Sequence, residues 1–394
     1  MITNKIYYEN QYKADFEAKI VDIRNIDSTM HIALDESCFY IGGGGQPADY
    51  GTLDDVGVID VYVKDGLIYH VIKHNVNKFA VGDTTKGRID MRRRLAFMQN
   101  HTGEHILSGI ANSLFCATNV GFHMSEKGFT MDLDKHLNIE DLRRLEDIAN
   151  DIVAQNKMVD ISNISGKEVE MLKPRAKRDF ADDDNVRIVK IDDCDICACA
   201  ALHVKNTSEV GLIKIVSHEK YKGGIRLYVF CGADAFWDYS RKNEILRKIS
   251  TMFSADIDNV VPTLEGKIST ISSLKKHTAN LQNELFVLKA QLVEKDTYIA
   301  HFFETDLDNK DMRRLAQLAA NVAKIGIVFV EQDGVYRYVA SSDDNCILSN
   351  FIAEMNIKFD GKGSCRDGLA QGVVNADNAE IIAFLEVAYE KGRI

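Results

Sequence analysis

His101 and His105 stand four residues apart in a long apolar-periodic run, and Cys199 and His203 repeat that interval about a hundred residues later. Within a helix, residues four apart lie one above the other on a single face, so His101 and His105 can offer two donors to a common point. A fold that joins the two pairs must bring residue 101 against residue 199, a stronger demand than composition makes. Two histidines and a Cys/His pair form a donor set that suits zinc. Taken alone, each pair also fits packed or solvent-facing side chains. The run His101-Thr102-Gly103-Glu104-His105 further fits the inverted metallopeptidase pattern, with Glu104 as general base. Against that reading, Gly103 costs roughly 1 kcal/mol relative to Ala inside a helix, and a peptidase leaves Cys199, His203 and the glycine-rich segments unused.

The rest of the chain divides by pattern. Through residue 85, short alternating runs at 18–23, 30–34, 56–63 and 67–72 predict a small antiparallel barrel or sandwich. Between the second and third runs lies Phe39-Tyr40-Ile41-Gly42-Gly43-Gly44-Gly45-Gln46, either a flexible hairpin loop or backbone built for close approach and positive φ. Met91, Leu95, Met98, Ile106 and Ile110 mark an apolar helical stripe. Arg92, Arg93 and Arg94 at its start can meet phosphate or form a solvated face. A second amphipathic helix starts at Asn138, an N-cap with Asp141 three residues on. With strands at 186–191, 212–216 and 225–230, residues 86–237 read as one α+β domain. Residues 238–300 are polar and helical. Leu264, Ile271, Leu285 and Leu292 share one heptad position there, and Leu274, Leu281 and Leu288 the other. The expectation is a helical hairpin within the chain or a coiled coil between two chains. Residues 301–394 predict a small α/β domain that contains another glycine loop, 361–372.

Bulk properties narrow the function classes. Hydrophobic content of 45% and charged content of 27% belong to a soluble globular protein. The first residues form no apolar leader and no run approaches a membrane span, so a cytoplasmic protein without membrane contact is expected. A formal net charge of −11 argues against indiscriminate adhesion to nucleic acid, while a locally basic groove remains compatible with a structured RNA. The eight cysteines do not read as a disulfide framework. Cys194 and Cys197 crowd Cys199, and Cys197 is its closer rival as a ligand.

Four separated motifs together resemble the alanyl-tRNA editing proteins of the AlaX type, in the long form related to the editing and C-terminal domains of alanyl-tRNA synthetase. Phe39-Tyr40 through Gly44-Gly45-Gln46 to Asp49 and Gly51 is similar to the family's glycine-rich motif. Met98-Gln99-Asn100-His101 through His105 matches its first zinc motif, and Cys199 through His203-Val204, followed by Thr207, Glu209 and Gly211, its second. Lys362, Gly363, Ala370, Gln371 and Gly372 resemble its last motif. The resemblance implies zinc-dependent hydrolysis of mischarged alanine-specific tRNA, with serine or glycine released. It implies no ligase activity, because the aminoacylation domain is absent. His101, His105, Cys199 and His203 would then hold the metal. Gly44, Gly45 and Gln46 would contact the acceptor end, and Lys362 and Gln371 the tRNA body. The helical segment and C-terminal domain would pair two chains into a homodimer. Two departures stand out. Ala200, Ala201 and Leu202 replace the usual Gly-Gly-Thr between the ligands, and Glu126 occupies a position where the synthetases carry Gln. A carboxylate there can accept a proton as well as orient water, which makes Glu126 the expected catalytic residue. The departures also motivate an alternative, a non-catalytic tRNA-binding protein with the editing fold.

Overall fold

The computed structural model describes residues 1–73, 78–175, 180–182, 184–295 and 297–391. They form a mixed α+β chain in two compact units, Met1–Lys248 and Ile249–Ile394. Among the described residues no helix is long and apolar enough to cross a membrane.

In the first unit, six strands pair in the order Asp15–Ile26, Thr29–Leu34, Leu67–Lys73, Val56–Lys64, Gly51–Leu53 and Thr84–Ile89, and the last returns to the first to close a barrel. Strict alternation drives this: Phe16, Ala18 and Ile20 point inward from one strand while their neighbours face solvent. Gly87 leaves room for the Phe16 ring, which a Cβ there would meet at 2.2 Å. The barrel continues into the helix Met91–Phe115, whose N-cap, Asp90, accepts from Arg93 N at 3.1 Å. The helix packs under a four-stranded antiparallel sheet ordered Ile213–Tyr221, Gly224–Cys231, Gly128–Leu133, Asn119–Ser125. Residues on either side of position 85 therefore share one continuous core, from Phe16 and Leu34 through Met98, Leu107 and Leu227. The helix Ile139–Ala154 starts on a reciprocal capping box between Asn138 and Asp141 and buries Leu142, Leu145 and Ile152. A three-stranded sheet of Val159–Ser165, Asn185–Ile191 and Asp195–Ala198 carries the cysteine cluster.

Gly103, the residue that counted against a helix, has a packing reason. A Cβ there would lie 2.4 Å from Cys231 Sγ, so the sheet approaches the helix only because the side chain is missing.

In the second unit, a five-stranded sheet runs Ile299–Glu304, Ile325–Gln332, Val335–Ser341, Leu369–Val374, Lys362–Arg366. Ile325, Ile327 and Phe329 face one apolar cluster, and Val328 and Val330 face another that includes Phe286 from the end of the helix Val260–Gln291. The glycine loop expected at 361–372 is instead an antiparallel hairpin, with Ser364 opposite Gln371 and a turn at Asp367-Gly368. Its glycines are spacers: a Cβ on Gly363 or Gly372 would meet Tyr338 Oη at 2.0 or 2.6 Å. Along Val260–Gln291, Ile268, Ile271, Leu274, Leu281 and Leu288 are more than half exposed.

Candidate metal centre

His101, His105, Cys199 and His203 come together, their donor atoms all within 4.8 Å of one another. The first two project from the buried face of Met91–Phe115, and the second two from the segment that follows the strand Asp195–Ala198. All three histidines are buried. Burial works against a thiolate at Cys199, yet the surrounding imidazoles, His101 foremost, hold its thiol well below the usual range. Burial, reinforced by the charge on His105, pushes His203 down to about 3. His203 is therefore neutral, and its Nε2 is buried without a partner. His105 stays well above its usual value against the cost of burial, because Asp195 accepts a hydrogen bond from its Nδ1 at 2.9 Å.

This donor set fits a tetrahedral ion. Sulfur at about 2.3 Å and nitrogen at about 2.1 Å from a common centre lie about 3.6 Å apart, and Cys199 Sγ is 3.6 Å from His101 Nε2. The rival thiols differ in charge state and place. Burial raises Cys194 to about 12 and Cys197 to about 11. Cys197 groups instead with His105 and Asp195.

Residues behind the donors fix them. Asp195 receives two bonds from Arg175, at 2.7 and 2.8 Å, and so holds His105 in one orientation. The turn that delivers Asp195 can approach because residue 109 is glycine, where a Cβ would meet Cys194 O at 2.2 Å. Thr102 Oγ1 contacts His203 Nδ1 at 3.3 Å and accepts from Val204 N at 3.2 Å. Arg187 donates from one nitrogen to the carbonyls of Cys199 and Ala201, 2.7 Å each. Asp195, Arg175 and Thr102 were not singled out from the sequence; the one signal for Asp195 was an acidic residue among crowded cysteines.

The glycine-rich segment closes over this cluster. Gly42 to Gly45 all adopt positive φ, and Gly43 and Gln46 exchange two backbone bonds. A Cβ on Gly44 would lie 3.4 Å from Ala201 Cβ and 3.9 Å from His101 Cε1, and one on Gly45 would strike the Phe122 ring at 2.5 Å. Gln46 is buried, and its Oε1 accepts from Leu202 N at 3.2 Å. At Leu202, then, the backbone meets the loop while the side chain joins the core.

The other expected site residues lie elsewhere. The Glu126 carboxylate is held by Arg93 Nη1 at 2.6 Å, eight residues and about 12 Å of helix before His101. The arrangement does not bring Glu126 to the metal donors. The Arg93 guanidinium is in turn stacked between Tyr50 and Phe97, 4.0 and 4.4 Å from their ring centres. Glu104 is buried beside His105, but its Oε1 already accepts from Ser108 at 2.5 Å and Asn119 at 2.7 Å, and Arg175 stands 3.7 Å away. Lys362 and Gln371 belong to the second unit, both exposed on the edge hairpin.

Comparison with known proteins gives a consistent set of relatives. Residues 186–228 match the family model described as the threonyl and alanyl tRNA synthetase second additional domain, and residues 3–93 match that of tRNA synthetases class II (A). The alanyl-tRNA editing protein AlaX-L of Pyrococcus horikoshii is 29% identical, with 100% of this chain aligned to 99% of that protein. Alanine–tRNA ligase of Methanococcus vannielii is 27% identical over 96% of this chain. The chain spans only 43% of that ligase's length. The solved C-Ala domain of Aquifex aeolicus alanyl-tRNA synthetase aligns with 25% of this chain and 96% of its own, at 16% identity and a TM-score of 0.22.

Proposed function

We propose that the chain, which resembles the AlaX-type alanyl-tRNA editing proteins and the editing and C-terminal parts of alanyl-tRNA synthetase, hydrolyses the ester of wrongly charged alanine-specific tRNA, releasing serine or glycine. The observation that carries the proposal is the convergence of His101, His105, Cys199 and His203 beneath the glycine-rich segment. These four residues would hold zinc, which supplies a Lewis acid for the acyl carbonyl or a site for water. Asp195 keeps the His105 ring turned so that Nε2 faces the other donors. Gly44, Gly45 and Gln46 form the wall against which the terminal ester would lie. Lys362 and Gln371 share one exposed face of the edge hairpin with Ser364 and Arg366. That face would meet the tRNA body, through contacts that weaken with salt.

The exposed apolar stripe of Val260–Gln291 supports pairing of two chains as a coiled coil. Leu274→Glu with Leu281→Glu would then leave a monomer in sedimentation experiments, and an unchanged mass would refute the pairing.

One observation favours a second reading, a tRNA-binding protein without catalysis: the three histidines are almost fully buried, with the Phe122 ring over Gly45 and 5.1 Å from His101. Incubation with serylated and alanylated alanine-specific tRNA separates the two. Release of serine that disappears together with bound metal in His101→Ala supports the deacylase. Tight binding without release supports the second reading, and absence of any tRNA interaction refutes both.

A further inference from the structure

Two polar atoms beside the glycine-rich segment are buried without a partner, Gln46 Nε2 and His101 Nδ1. Both residues are 2% exposed. The Gln46 amide is oriented by its other end, since Oε1 accepts from Leu202 N at 3.2 Å; the unpartnered atom is thus the NH2 group, a donor. His101 Nε2 faces Cys199 Sγ at 3.6 Å, the side on which the ion would be held. With a metal on Nε2, a neutral His101 would keep its proton on Nδ1, which would make that atom a donor as well. The glycine-rich segment touches the His101 ring and carries Gln46. Gly44 packs against Ala201 and the His101 Cε1 edge, and Gln46 packs against Leu202. A buried donor left unpaired loses its water without a replacement, and such groups call for a role that awaits a ligand.

We propose that Gln46 Nε2 and His101 Nδ1 are the two donors that receive the ester carbonyl oxygen as it becomes an oxyanion, an inference that rests on the deacylase reading above. In that step the oxygen of water bonds to the acyl carbon and the carbonyl π pair moves onto oxygen, between the two donors. On collapse the ester C–O bond breaks. The ribose oxygen leaves with a proton from the attacking water, and the free amino acid departs. Donors aimed at the oxygen as its charge develops lower the barrier without tightening the ground state.

Gln46→Glu is the discriminating variant. It keeps the oxygen that accepts from Leu202 N, so the loop stays anchored, and it replaces the NH2 donor with a second acceptor. The expected result is a fall in kcat of about 100-fold, with KM within a few-fold of wild type and full metal content. A second readout needs no turnover: calorimetric binding of an aminoalkylphosphonate ester of adenosine, a tetrahedral anion, against the planar seryl amide of 3′-amino-3′-deoxyadenosine. Wild type is expected to prefer the phosphonate, and Gln46→Glu to lose that preference by at least about tenfold, the equivalent of one lost donor at the low end. Wild-type kcat in Gln46→Glu, a change in KM alone, or an unaltered preference for the phosphonate overturns the proposal while leaving the deacylase reading intact. A wild-type protein that releases no serine from tRNA overturns both.

Discussion

Arg94 and Asp49 form an ion pair that is fully buried on both sides, and it is the joint between the helix Met91–Phe115 and the glycine-rich segment. Arg94 Nε donates to both carboxylate oxygens at 2.9 and 3.0 Å, and its Nη groups donate to Asp49, to Gln11 O and to Cys38 O. Asp49 Oδ2 also accepts from Tyr40 N at 2.7 Å, just before the glycines. Asp49→Asn keeps the shape but leaves a guanidinium without a counter-charge in the core. Breaking such a pair costs about 3–5 kcal/mol, which at about 2–4 °C per kcal/mol for a unit of this size lowers the Tm by roughly 6–20 °C. Arg94→Met should cost a similar amount. The double variant should cost no more than the harsher single, a coupling of at least about 3 kcal/mol, because no charge is then stranded. Urea unfolding of the four proteins, followed by the circular dichroism of the first unit's helices, measures the cycle. Strict additivity, or a loss below about 1 kcal/mol in Asp49→Asn, would show that the pair is not what joins the two regions.

Three further outcomes are expected. Burial depresses His70, which accepts from Ser37 and donates to Ile32 O inside the barrel, to about 4 from a usual 6.5; the unfolded chain takes up the proton first, so stability is full above pH 6.5, falls through that window by about 3 kcal/mol and levels below pH 4. His70→Gln should remove that part of the slope in pH-dependent unfolding, and an unchanged slope would contradict the assignment. Asp195→Asn should weaken zinc binding about 10- to 100-fold in chelator competition, whereas unaltered affinity would mean that His105 needs no holding. Glu126→Gln should keep deacylation within about tenfold, as expected of a residue bound to Arg93; a loss of 10²–10⁴-fold would return it to the role of general base.

What could be read in the chain follows the range over which each feature is determined. The barrel strands were legible because alternation is local: Phe16, Ala18 and Ile20 announce an inward face wherever the strand later pairs. The Asn138 cap was legible for the same reason, since both partners lie within one turn. The donor pairs were legible at half range, each as a four-residue interval, and only the motifs around them said that the intervals meet. Asp195 and Arg175 were not, because their contact with His105 depends on a turn approaching Gly109 from about 85 residues away in sequence. The hairpin at 361–372 was misread for a related reason. Glycine signals a loop only when nothing else needs the space, and here the Tyr338 hydroxyl occupies it.

Glu126 shows the converse limit. Its place in the motif order set it against the synthetases' Gln, but motif order carries no direction in space. The turn between Asn119–Ser125 and Gly128–Leu133 points its tip toward the first turn of the helix Met91–Phe115, where Arg93 waits between two aromatic rings. Phe122, four residues earlier on the strand Asn119–Ser125, is the side chain that reaches His101 and Gly45. The segment therefore contributes an apolar cover to the metal donors and a carboxylate to Arg93. Among the groups buried beside the glycine-rich segment, Gln46 Nε2 and His101 Nδ1 are left without partners. Electrostatics agree with that division: a third carboxylate beside Asp195 and Glu104 would add negative charge around the donors, whereas on Arg93 it is neutralised.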